Sequence, residues 1–443
     1  MTDSAGTVDI EALYRRIAFR ILPLLLVAYI VAVIDRVNVG FAQLYMRTDL
    51  GLSDAVYGLG AGIFFIGYVL FGVPSNLIMT RVGARKTFSS IMLGWGLVSM
   101  AMAMVRTPGM LYFLRFLLGM FEAGFFPGVV LYLTFWFPAA KRARVTSLIF
   151  AGAALSGVLG SLTSGLIMRF TGGILGLTGW QWLFLIEGLP SVLLAGIAWL
   201  TVADKPADAS WLSDSEKVAL EDDLKQQREV AGGKERAWKL ILNVKVLFLV
   251  VIYFSLSCAA MAMNFWLPIM ISSAGVKNVL ENGVLNAIPY LAAMFATVAI
   301  ARSSDRLNER RFHYAVCVFG AALAMSLFPT FIGNLPIVIV LLTIGEIGIV
   351  SAFPIFWSVP HRYLADEAIA GGLAVISCLG QLGGFVAPAF IGWIKATTGS
   401  LDLGLYALTG LMALGATLWF CIVRNSPAPS EQRDHGMLTN QPR

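Results

Sequence analysis

Charged residues and cysteines are both scarce in this chain. Of its 443 residues only 13% are charged, whereas soluble domains average about 25%. The cysteines, at positions 258, 317, 378 and 421, lie in apolar stretches and lack the CxxC spacing of metal and redox motifs. The composition therefore excludes an ordinary soluble protein, and the cysteines indicate neither a disulfide framework nor a zinc site.

Sequence signatures of catalysis are also missing. There is no Walker loop, no dinucleotide-binding glycine fingerprint, no metal-ligand cluster and no Ser/His/Asp constellation. The histidines His313, His361 and His435 fall at loop boundaries or in the C-terminal tail. We therefore expect no enzymatic activity, no cofactor and no resident metal.

Apolar residues, in contrast, are abundant. They make up 58% of the chain, and the mean hydropathy is +0.78, which is more apolar surface than a water-soluble core can hide. Apolar runs long enough to cross a bilayer as a helix occur at 18–43, 55–80, 86–105, 108–134, 145–168, 180–202, 246–272, 282–302, 313–333, 335–360, 369–394 and 403–423. The sequence predicts an all-α integral membrane protein with twelve transmembrane helices. The first run lacks a small-residue cleavage site, so we expect it to be retained.

Lysine and arginine are concentrated in alternate loops. Of the 32 in the chain, 25 lie in the N-terminal segment, in the loops after the even-numbered runs and in the tail, whereas five lie in the other loops. Because positive loops remain in the cytoplasm, we expect both termini there. This distribution also accounts for the formal charge of +6 without a nucleic-acid partner.

The chain repeats itself. Tyr57-Gly58 matches Asn282-Gly283, and Phe126-Pro127 matches Phe353-Pro354, at nearly the same shift. These matches predict two six-helix bundles that face each other, with a substrate path between them. The predicted parts are an N-terminal segment (1–17), a first bundle (18–202), a cytoplasmic linker (203–245), a second bundle (246–423) and a cytoplasmic tail (424–443). The linker, which mixes acids and bases, is either a solvated tether or a regulatory docking site.

Six charged residues lie inside the predicted spans, away from the span ends. A charge at the bilayer centre costs at least about 2.5 kcal/mol, which makes each a functional candidate. They are Asp35 and Arg36 in the first span, Arg115 and Glu122 in the fourth, Glu187 in the sixth and Glu346 in the tenth. Arg115 and Glu122 are two helical turns apart and share a face. With Asp35 and Arg36 they predict a buried, charge-balanced cluster in the first bundle.

Two interpretations of this cluster remain open. The charges could be structural ion pairs that join the first span to the fourth, although buried pairs are weak stabilisers. Alternatively, the arginines bind a carboxylate through their planar fork, and a buried acid beside them takes up and releases a proton. Glu187 fits a structural or gating role. Glu346, without an obvious basic partner, is either a further protonatable group or an acid kept neutral by burial.

Two loops carry similar basic motifs. The loop after the second span holds Arg81, Gly83, Arg85 and Lys86, and the loop after the eighth span begins with Asp305-Arg306. Cations beside helix C-termini are favoured by the helix dipole. We expect these loops either to form a cytoplasmic gate with neighbouring helix ends or to act only as topology signals.

Six motifs carry a family resemblance: "IDRVNVGFA", "GVPSNLIMTRVGARK", "RFLLGMFEAGFFPG", "FWLPIMI", "SDRLNERR" and "LGQLGGFVAP". They resemble the major facilitator superfamily, and within it the anion:cation symporters of the bacterial tartrate and phthalate type, over residues 15–425. The resemblance implies that Asp35 and Glu122 couple protons, that Arg36 and Arg115 organise the anion, and that Tyr68 lines the pocket.

The chain departs from that family's pattern at several positions. Gln381 stands where the family usually has Asn, and Asn76 and Thr80 replace the Gly and Asp of the first loop motif. Alanines at 153 and 154 replace the glutamine of sugar-acid members, which disfavours a sugar acid as substrate. Gln381 and Asn264 are our candidate substrate-binding residues of the second bundle. The aromatic residues Tyr29, Trp266, Tyr290 and Trp357 could line the same cavity or only pack.

The sequence therefore predicts a proton-coupled importer of a small organic anion that works by alternating access, as a monomer, in a bacterial inner membrane. The substrate would be a hydroxy-dicarboxylate such as tartrate or an aromatic acid such as phthalate or nicotinate. Two alternatives remain: an organic-anion exchanger or exporter without proton coupling, and a sensor that has kept a transporter fold.

Overall fold

The twelve predicted spans are all present as helices. The computed structural model describes residues 8–228, 244–360 and 369–423. The predicted tail (424–443), residues 229–243 of the linker, His361 and His435 lie outside these ranges. The spans, numbered 1 to 12, run over Ile10–Leu50, Asp54–Val82, Ala84–Met104, Pro108–Trp136, Gly152–Phe170, Gly179–Thr201, Val244–Ser273, Val279–Arg306, Arg311–Phe331, Leu335–Trp357, Gly371–Thr398 and Asp402–Ile422. All regular elements in the described ranges are helical.

Two helices begin well before the predicted membrane boundary. Span 1 starts at Ile10, where the Asp9 carboxylate caps the helix by accepting from the backbone N–H groups of Glu11 and Ala12 at 3.0 and 3.1 Å. The helix of span 5 starts at Ala139. In both cases a polar, basic turn extends the helix beyond the apolar run, which hydropathy alone does not detect.

Three spans are interrupted near their middle. The helix pairs are Ile10–Val37 and Val39–Leu50 in span 1, Pro108–Glu122 and Phe125–Trp136 in span 4, and Ile369–Gln381 and Gly383–Thr398 in span 11. Each interruption lies within two residues of a predicted site residue, namely Arg36, Glu122 or Gln381. Asn38, Ala123 and Leu382, which lie at the interruptions, keep right-handed helical backbone angles, so each interruption is a local distortion of a continuous span.

Helix packing follows the predicted repeat. In the first half, span 3 packs on span 6, span 2 on span 4 and span 1 on span 5. In the second half, span 9 packs on span 12, span 8 on span 10 and span 7 on span 11. The two sets are related by a shift of six spans, so the short sequence matches reflect two bundles of equivalent architecture.

The two bundles meet closely at one end of the molecule, where span 1 leads into span 2; we call this the closed end. Span 5 crosses span 8 here, and a Cβ added to Gly283 would lie 2.6 Å from the Ser161 carbonyl oxygen. Span 2 crosses span 11 in the same way, and a Cβ on Gly392 would lie 2.5 Å from the carbonyl oxygen of Asp54. Small residues allow this backbone-to-backbone approach.

A carbonyl group in span 7 adds polar contacts at this end. The Phe265 carbonyl oxygen accepts from Gln43 Nε2 at 2.7 Å and from the Tyr57 hydroxyl at 3.1 Å. First-half side chains therefore fasten span 7, which belongs to the second half.

The linker contains a helix, Asp214–Arg228, that docks on the first half. The Tyr14 hydroxyl donates to Asp223 at 2.6 Å, and Arg16 pairs with Glu216 at 2.5 Å. Just before this helix, Trp211 stacks on Trp136 with ring centroids 5.7 Å apart. The described part of the linker is thus packed against span 1 and span 4.

Leucine at Gly283 should prevent the closed end from closing, because no side chain fits between spans 5 and 8. Spin labels at Phe170 and Lys277, in a cysteine-free background, should report a longer distance in Gly283→Leu than in the unsubstituted chain. Gly320→Leu is the matched control, since an added Cβ there meets nothing within 4 Å. An unchanged distance distribution in Gly283→Leu would contradict this account of the crossing.

Docking of the linker helix should weaken in acid. The backbone N–H of Ser213, at the start of the same helix, and the Arg16 guanidinium of span 1 lower the pKa of the Glu216 carboxyl, and the effect of Arg16 is present only in the docked state. Docking is therefore favoured above the ordinary value of about 4.3, and that contribution is lost as the pH falls through the lower, docked pKa.

Hydrogen exchange of residues 214–219 tests this. Glu216→Gln should raise exchange at neutral pH and remove its acid dependence, whereas Glu221→Gln, whose partner Lys225 lies on the same helix, should change neither. Equal exchange in Glu216→Gln and the unsubstituted chain would show that this pair does not hold the linker.

Candidate functional site

One ion pair joins spans 1 and 4 at their interruptions. Arg36 Nε donates to Glu122 Oε1 at 2.9 Å, and a terminal guanidinium nitrogen of Arg36 contacts the same oxygen. The side chain of Glu122 is 2% exposed and that of Arg36 is 15% exposed. Glu122 Oε2 is buried without a hydrogen-bond partner in the described part of the chain. The acid is therefore enclosed, and the base keeps an accessible edge.

Aromatic rings of span 2 hold the guanidinium in place. The Arg36 Cζ atom lies 5.3 Å from the ring centroid of Phe64 and 5.2 Å from that of Tyr68. Cations are attracted to ring faces at these separations. The partly exposed Tyr68 is therefore beside Arg36, and its role in lining a substrate pocket stays a prediction.

Arg115 is held differently. It is fully buried and donates to the carbonyl oxygens of Gly60, Ala61 and Arg36 at 3.3, 3.2 and 3.1 Å. Backbone oxygens thus take up its donors in this conformation. Arg115 lies next to the Arg36–Glu122 pair through the Arg36 carbonyl, but it is not presented to a ligand.

Asp35 points to the other side of span 1. It is fully buried and accepts from the Ser99 hydroxyl at 2.7 Å and the Ser191 hydroxyl at 2.8 Å, in spans 3 and 6. Ser191 also accepts from Trp95 Nε1 at 2.6 Å. The four charges of the predicted cluster are therefore all in the first half, but the hydrogen bonds of Asp35 lead away from the other three.

The two remaining membrane acids lie apart from this pair. Glu187 accepts hydrogen bonds from Thr163 at 3.0 Å and Ser164 at 2.9 Å, which join span 6 to span 5. Glu346 in span 10 is 4% exposed, and its Oε2 has no hydrogen-bond partner among the residues that the structure describes. The contacts of Glu187 suit the structural role that the sequence favours.

Polar groups of the second half form a separate set. Asn264 Oδ1 accepts from the Tyr290 hydroxyl at 2.9 Å, and Ser257 donates to Gln381 Oε1 at 3.5 Å. Both amides are only partly buried. The first half therefore contributes the Arg36–Glu122 pair to the middle of the protein, and the second half contributes, besides Glu346, amides and hydroxyls.

The first basic loop binds the end of span 6. The Arg85 backbone N–H donates to Asp204 Oδ1 at 2.7 Å, and Arg85 Nε donates to the Val202 carbonyl oxygen at 2.7 Å. Gly83 has φ +94°, and a Cβ there would lie 2.6 Å from the Asp204 carboxylate. Glycine is required at this position by both the backbone conformation and the space. Arg81 and Lys86 are exposed or partly exposed.

The second basic loop binds the end of span 12. Asp305 pairs with Arg310 at 2.5 Å, and Arg311 Nε donates to the Phe420 carbonyl oxygen at 2.6 Å. Arg306 is exposed. In both loops, these contacts connect helix ends of one half. A gate between the halves therefore stays a prediction for these residues.

Comparison with known proteins agrees with this architecture. Residues 25–388 match the sequence profile of the Major Facilitator Superfamily. The chain belongs to this superfamily. A protein of Agrobacterium vitis named "Putative tartrate transporter" is 44% identical over 97% of this chain and 96% of its own length. A "Quinolone resistance transporter" of Acinetobacter baumannii is 39% identical over 92% of this chain and 94% of its own length.

A solved structure shows the same fold. The crystal structure of a D-xylose-proton symporter superposes with a TM-score of 0.75, at 14% identity, over 92% of this chain and 98% of that one. Fold and relatives are those of transporters. This superfamily member is therefore a multi-pass membrane transporter of a small molecule and not an enzyme.

Sequence reasoning missed the partners of the buried acids. Asp35 accepts hydrogen bonds from Ser99 and Ser191. Glu187 accepts from Thr163 and Ser164. All four hydroxyl residues lie in otherwise apolar spans. Such hydroxyls within a span are a usable signal, because polar groups in a membrane face the protein interior. Asp204, which accepts from the Arg85 backbone N–H, is an acid outside the loop motif and was missed as well.

Removing the Asp204 carboxylate should destabilise the first half. Asp204→Ala leaves the Arg85 N–H without its acceptor, and loss of such a bond costs about 1–3 kcal/mol. The thermal unfolding temperature of the protein in detergent should fall in this variant. It should stay the same in Asp208→Ala, which removes an exposed acid of the same loop. Equal unfolding temperatures in the two variants would rule out the proposed role of Asp204.

Proposed function

We propose that this protein is a proton-coupled symporter that imports a small organic anion. The observation that carries the proposal is the ion pair between Arg36 and Glu122. Its base is partly exposed and able to bind a carboxylate through two donors, whereas its acid is enclosed. A carboxylate ligand and Glu122 would therefore compete for the same guanidinium.

Proton binding would decide this competition. When Glu122 takes up a proton it no longer holds Arg36 by charge, and the guanidinium is free to bind the substrate carboxylate. When the proton leaves, the Arg36–Glu122 pair re-forms and expels the anion. Binding of anion and proton would thus be linked through one side chain, which is the reciprocal coupling that symport needs.

Asp35 would be the second proton-binding acid. It accepts hydrogen bonds from the neutral hydroxyls of Ser99 and Ser191, and an ionised carboxylate is costly to bury in such surroundings. These hydroxyls join spans 1, 3 and 6. A change in the charge of Asp35 would therefore act on the packing of three spans rather than on the substrate directly.

Alternating access would expose the site to each side in turn. Most lysines and arginines lie in the termini and in the loops at the opposite end, which would therefore be cytoplasmic. The closed end would then face the periplasm, across a bacterial inner membrane. The conformation would then be inward-facing. Arg115, now bound to the carbonyl groups of spans 1 and 2, would become available to the anion only when the halves move apart at the closed end.

The substrate would be a small mono- or dicarboxylate. The Arg36 guanidinium, in contact with Tyr68 and Phe64, suits a planar carboxylate group. Asn264 and Gln381 of the second half offer hydrogen bonds to the rest of the substrate. The similarity to a protein named as a tartrate transporter supports a hydroxy-dicarboxylate. Similarity to a drug-resistance transporter favours an exporter as the second candidate.

Uptake into proteoliposomes tests the proposal. Under an inward proton gradient, tartrate, phthalate, nicotinate, hydroxyphenylacetate and galactonate would be supplied one at a time, with and without a protonophore. We expect accumulation of one of the first three acids and its loss with the protonophore. Exchange without accumulation would overturn proton coupling and favour an anion exchanger.

Glu122→Gln should separate binding from coupling. Glutamine cannot bind or release the proton, so accumulation driven by the gradient should fall by at least about tenfold, while exchange of internal for external acid continues. The matched control is Glu281→Gln at the exposed start of span 8, which should accumulate normally. Full accumulation by Glu122→Gln would exclude Glu122 as the coupling acid.

A further inference from the structure

A cavity lies at the closed end, away from the Arg36–Glu122 pair. Its volume is about 500 Å³, which is large enough for a small organic acid and several waters. Its walls come from both halves and include Gln43, Arg47, Thr48, Gly51, Ile269, Ser272, Ser273 and Lys395. Thr48 and Gly51 are exposed, so the cavity reaches the surface; we call it the vestibule.

The charged groups of the vestibule are unbalanced. Arg47 and Lys395 share a single carboxylate, Asp54, which lies 2.6 Å from Arg47 and 3.1 Å from Lys395. The nearby Asp49 points elsewhere and accepts from Trp180 Nε1 at 2.8 Å. Two cations and one anion therefore leave a net positive charge at the vestibule.

Arg47 and Lys395 also have hydrogen-bond donors that Asp54 does not occupy. Asp54 occupies the two terminal nitrogens of Arg47, and Arg47 Nε is buried without a partner in the described ranges. Lys395 uses one contact to Asp54 and lies 5.5 Å from the ring centroid of Trp266, although an ammonium group has three donors. The hydroxyls of Thr48 and Ser272 lie in the same wall.

The same three residues join the two halves. Arg47 and Asp54 belong to spans 1 and 2, and Lys395 belongs to span 11. The Asp54–Lys395 pair lies beside the contact between Gly392 and the Asp54 carbonyl oxygen. An anion that draws Lys395 away from Asp54 would therefore weaken the junction that keeps this end closed.

We propose that the vestibule is a second, peripheral binding site for the carboxylate of the transported acid, formed by Arg47 and Lys395. The site attracts the anion to the closed protein and, by competing with Asp54, favours opening. This inference rests on the proposed import of an organic anion, but it does not require that protons are coupled.

Exchange kinetics from the vestibule side test the site. In right-side-out membrane vesicles, external acid exchanges for internal labelled acid without any proton gradient. Lys395→Gln should raise the external KM about tenfold, the typical effect of losing one charged hydrogen bond, and leave the internal KM unchanged. Lys395→Arg keeps the charge and should restore the external KM. Arg47→Gln should raise the external KM in the same way. It provides the test if Lys395→Gln fails to fold.

Asp54→Asn distinguishes a site at which Lys395 binds the anion from a pair that only keeps the closed end shut. It breaks the same Asp54–Lys395 pair but leaves both cations for the ligand, so its external KM should fall. If the pair were only a lock, Asp54→Asn and Lys395→Gln would shift the external KM in the same direction, and the binding site would be excluded. Equal effects of Lys395→Gln on the external and internal KM would exclude it as well.

Competition by sulfate tests whether the vestibule binds carboxylates or inorganic anions. Sulfate should compete weakly with external acid, and equally so in the unsubstituted protein and in Lys395→Gln. Strong competition that disappears in Lys395→Gln would assign the vestibule to inorganic anions and overturn the carboxylate assignment. A protein that exchanges the acid but never accumulates it would contradict the proposed symport alone, because the vestibule kinetics are measured without a gradient.

Discussion

A bilayer offers no water to a charged side chain, and this constraint explains how the middle of the protein is organised. The charges of spans 1 and 4 are held by three different kinds of partner. Arg115 donates to three carbonyl oxygens, Asp35 accepts from two hydroxyls, and Arg36 pairs with Glu122. Carbonyls and hydroxyls are fixed to the helices, whereas the acid of an ion pair can be neutralised. This difference supports the proposal that the Arg36–Glu122 pair, rather than Arg115 or Asp35, gives way to a ligand.

The fold could be predicted well from the sequence because it depends on long apolar runs. All twelve spans were identified, since a run of about 20 apolar residues matches the thickness of the bilayer as a helix. The helix ends were less accurate at Ile10 and Ala139, where a polar turn continues the helix into water. The equivalent packing of the two halves followed from short matches such as that of Gly58 with Gly283, which both lie at close helix crossings.

The candidate site was only half predictable, because a sequence shows which charges are present but not where they point. The sequence predicted Asp35 in one cluster with Arg36, Arg115 and Glu122, and nothing in the spacing of these residues indicated that Asp35 would instead meet Ser99 and Ser191. Nor could spacing reveal that Arg115 is occupied by backbone oxygens. Both outcomes depend on spans far apart in the chain. The role of each residue in proton and anion binding remains a prediction, supported by the Arg36–Glu122 geometry.

The glycine crossings at the closed end also bear on how well the membrane stays insulated. Where backbones meet directly, as at Gly283 and Ser161 or at Gly392 and Asp54, no space remains for water at the crossing itself. Protons travel along continuous files of water molecules, and such a file would discharge the potential that a cell maintains across its membrane. Each crossing thus blocks a file at its own position without depending on a rotamer, whereas the side-chain pair of Asp54 and Lys395 beside it can be broken and re-formed.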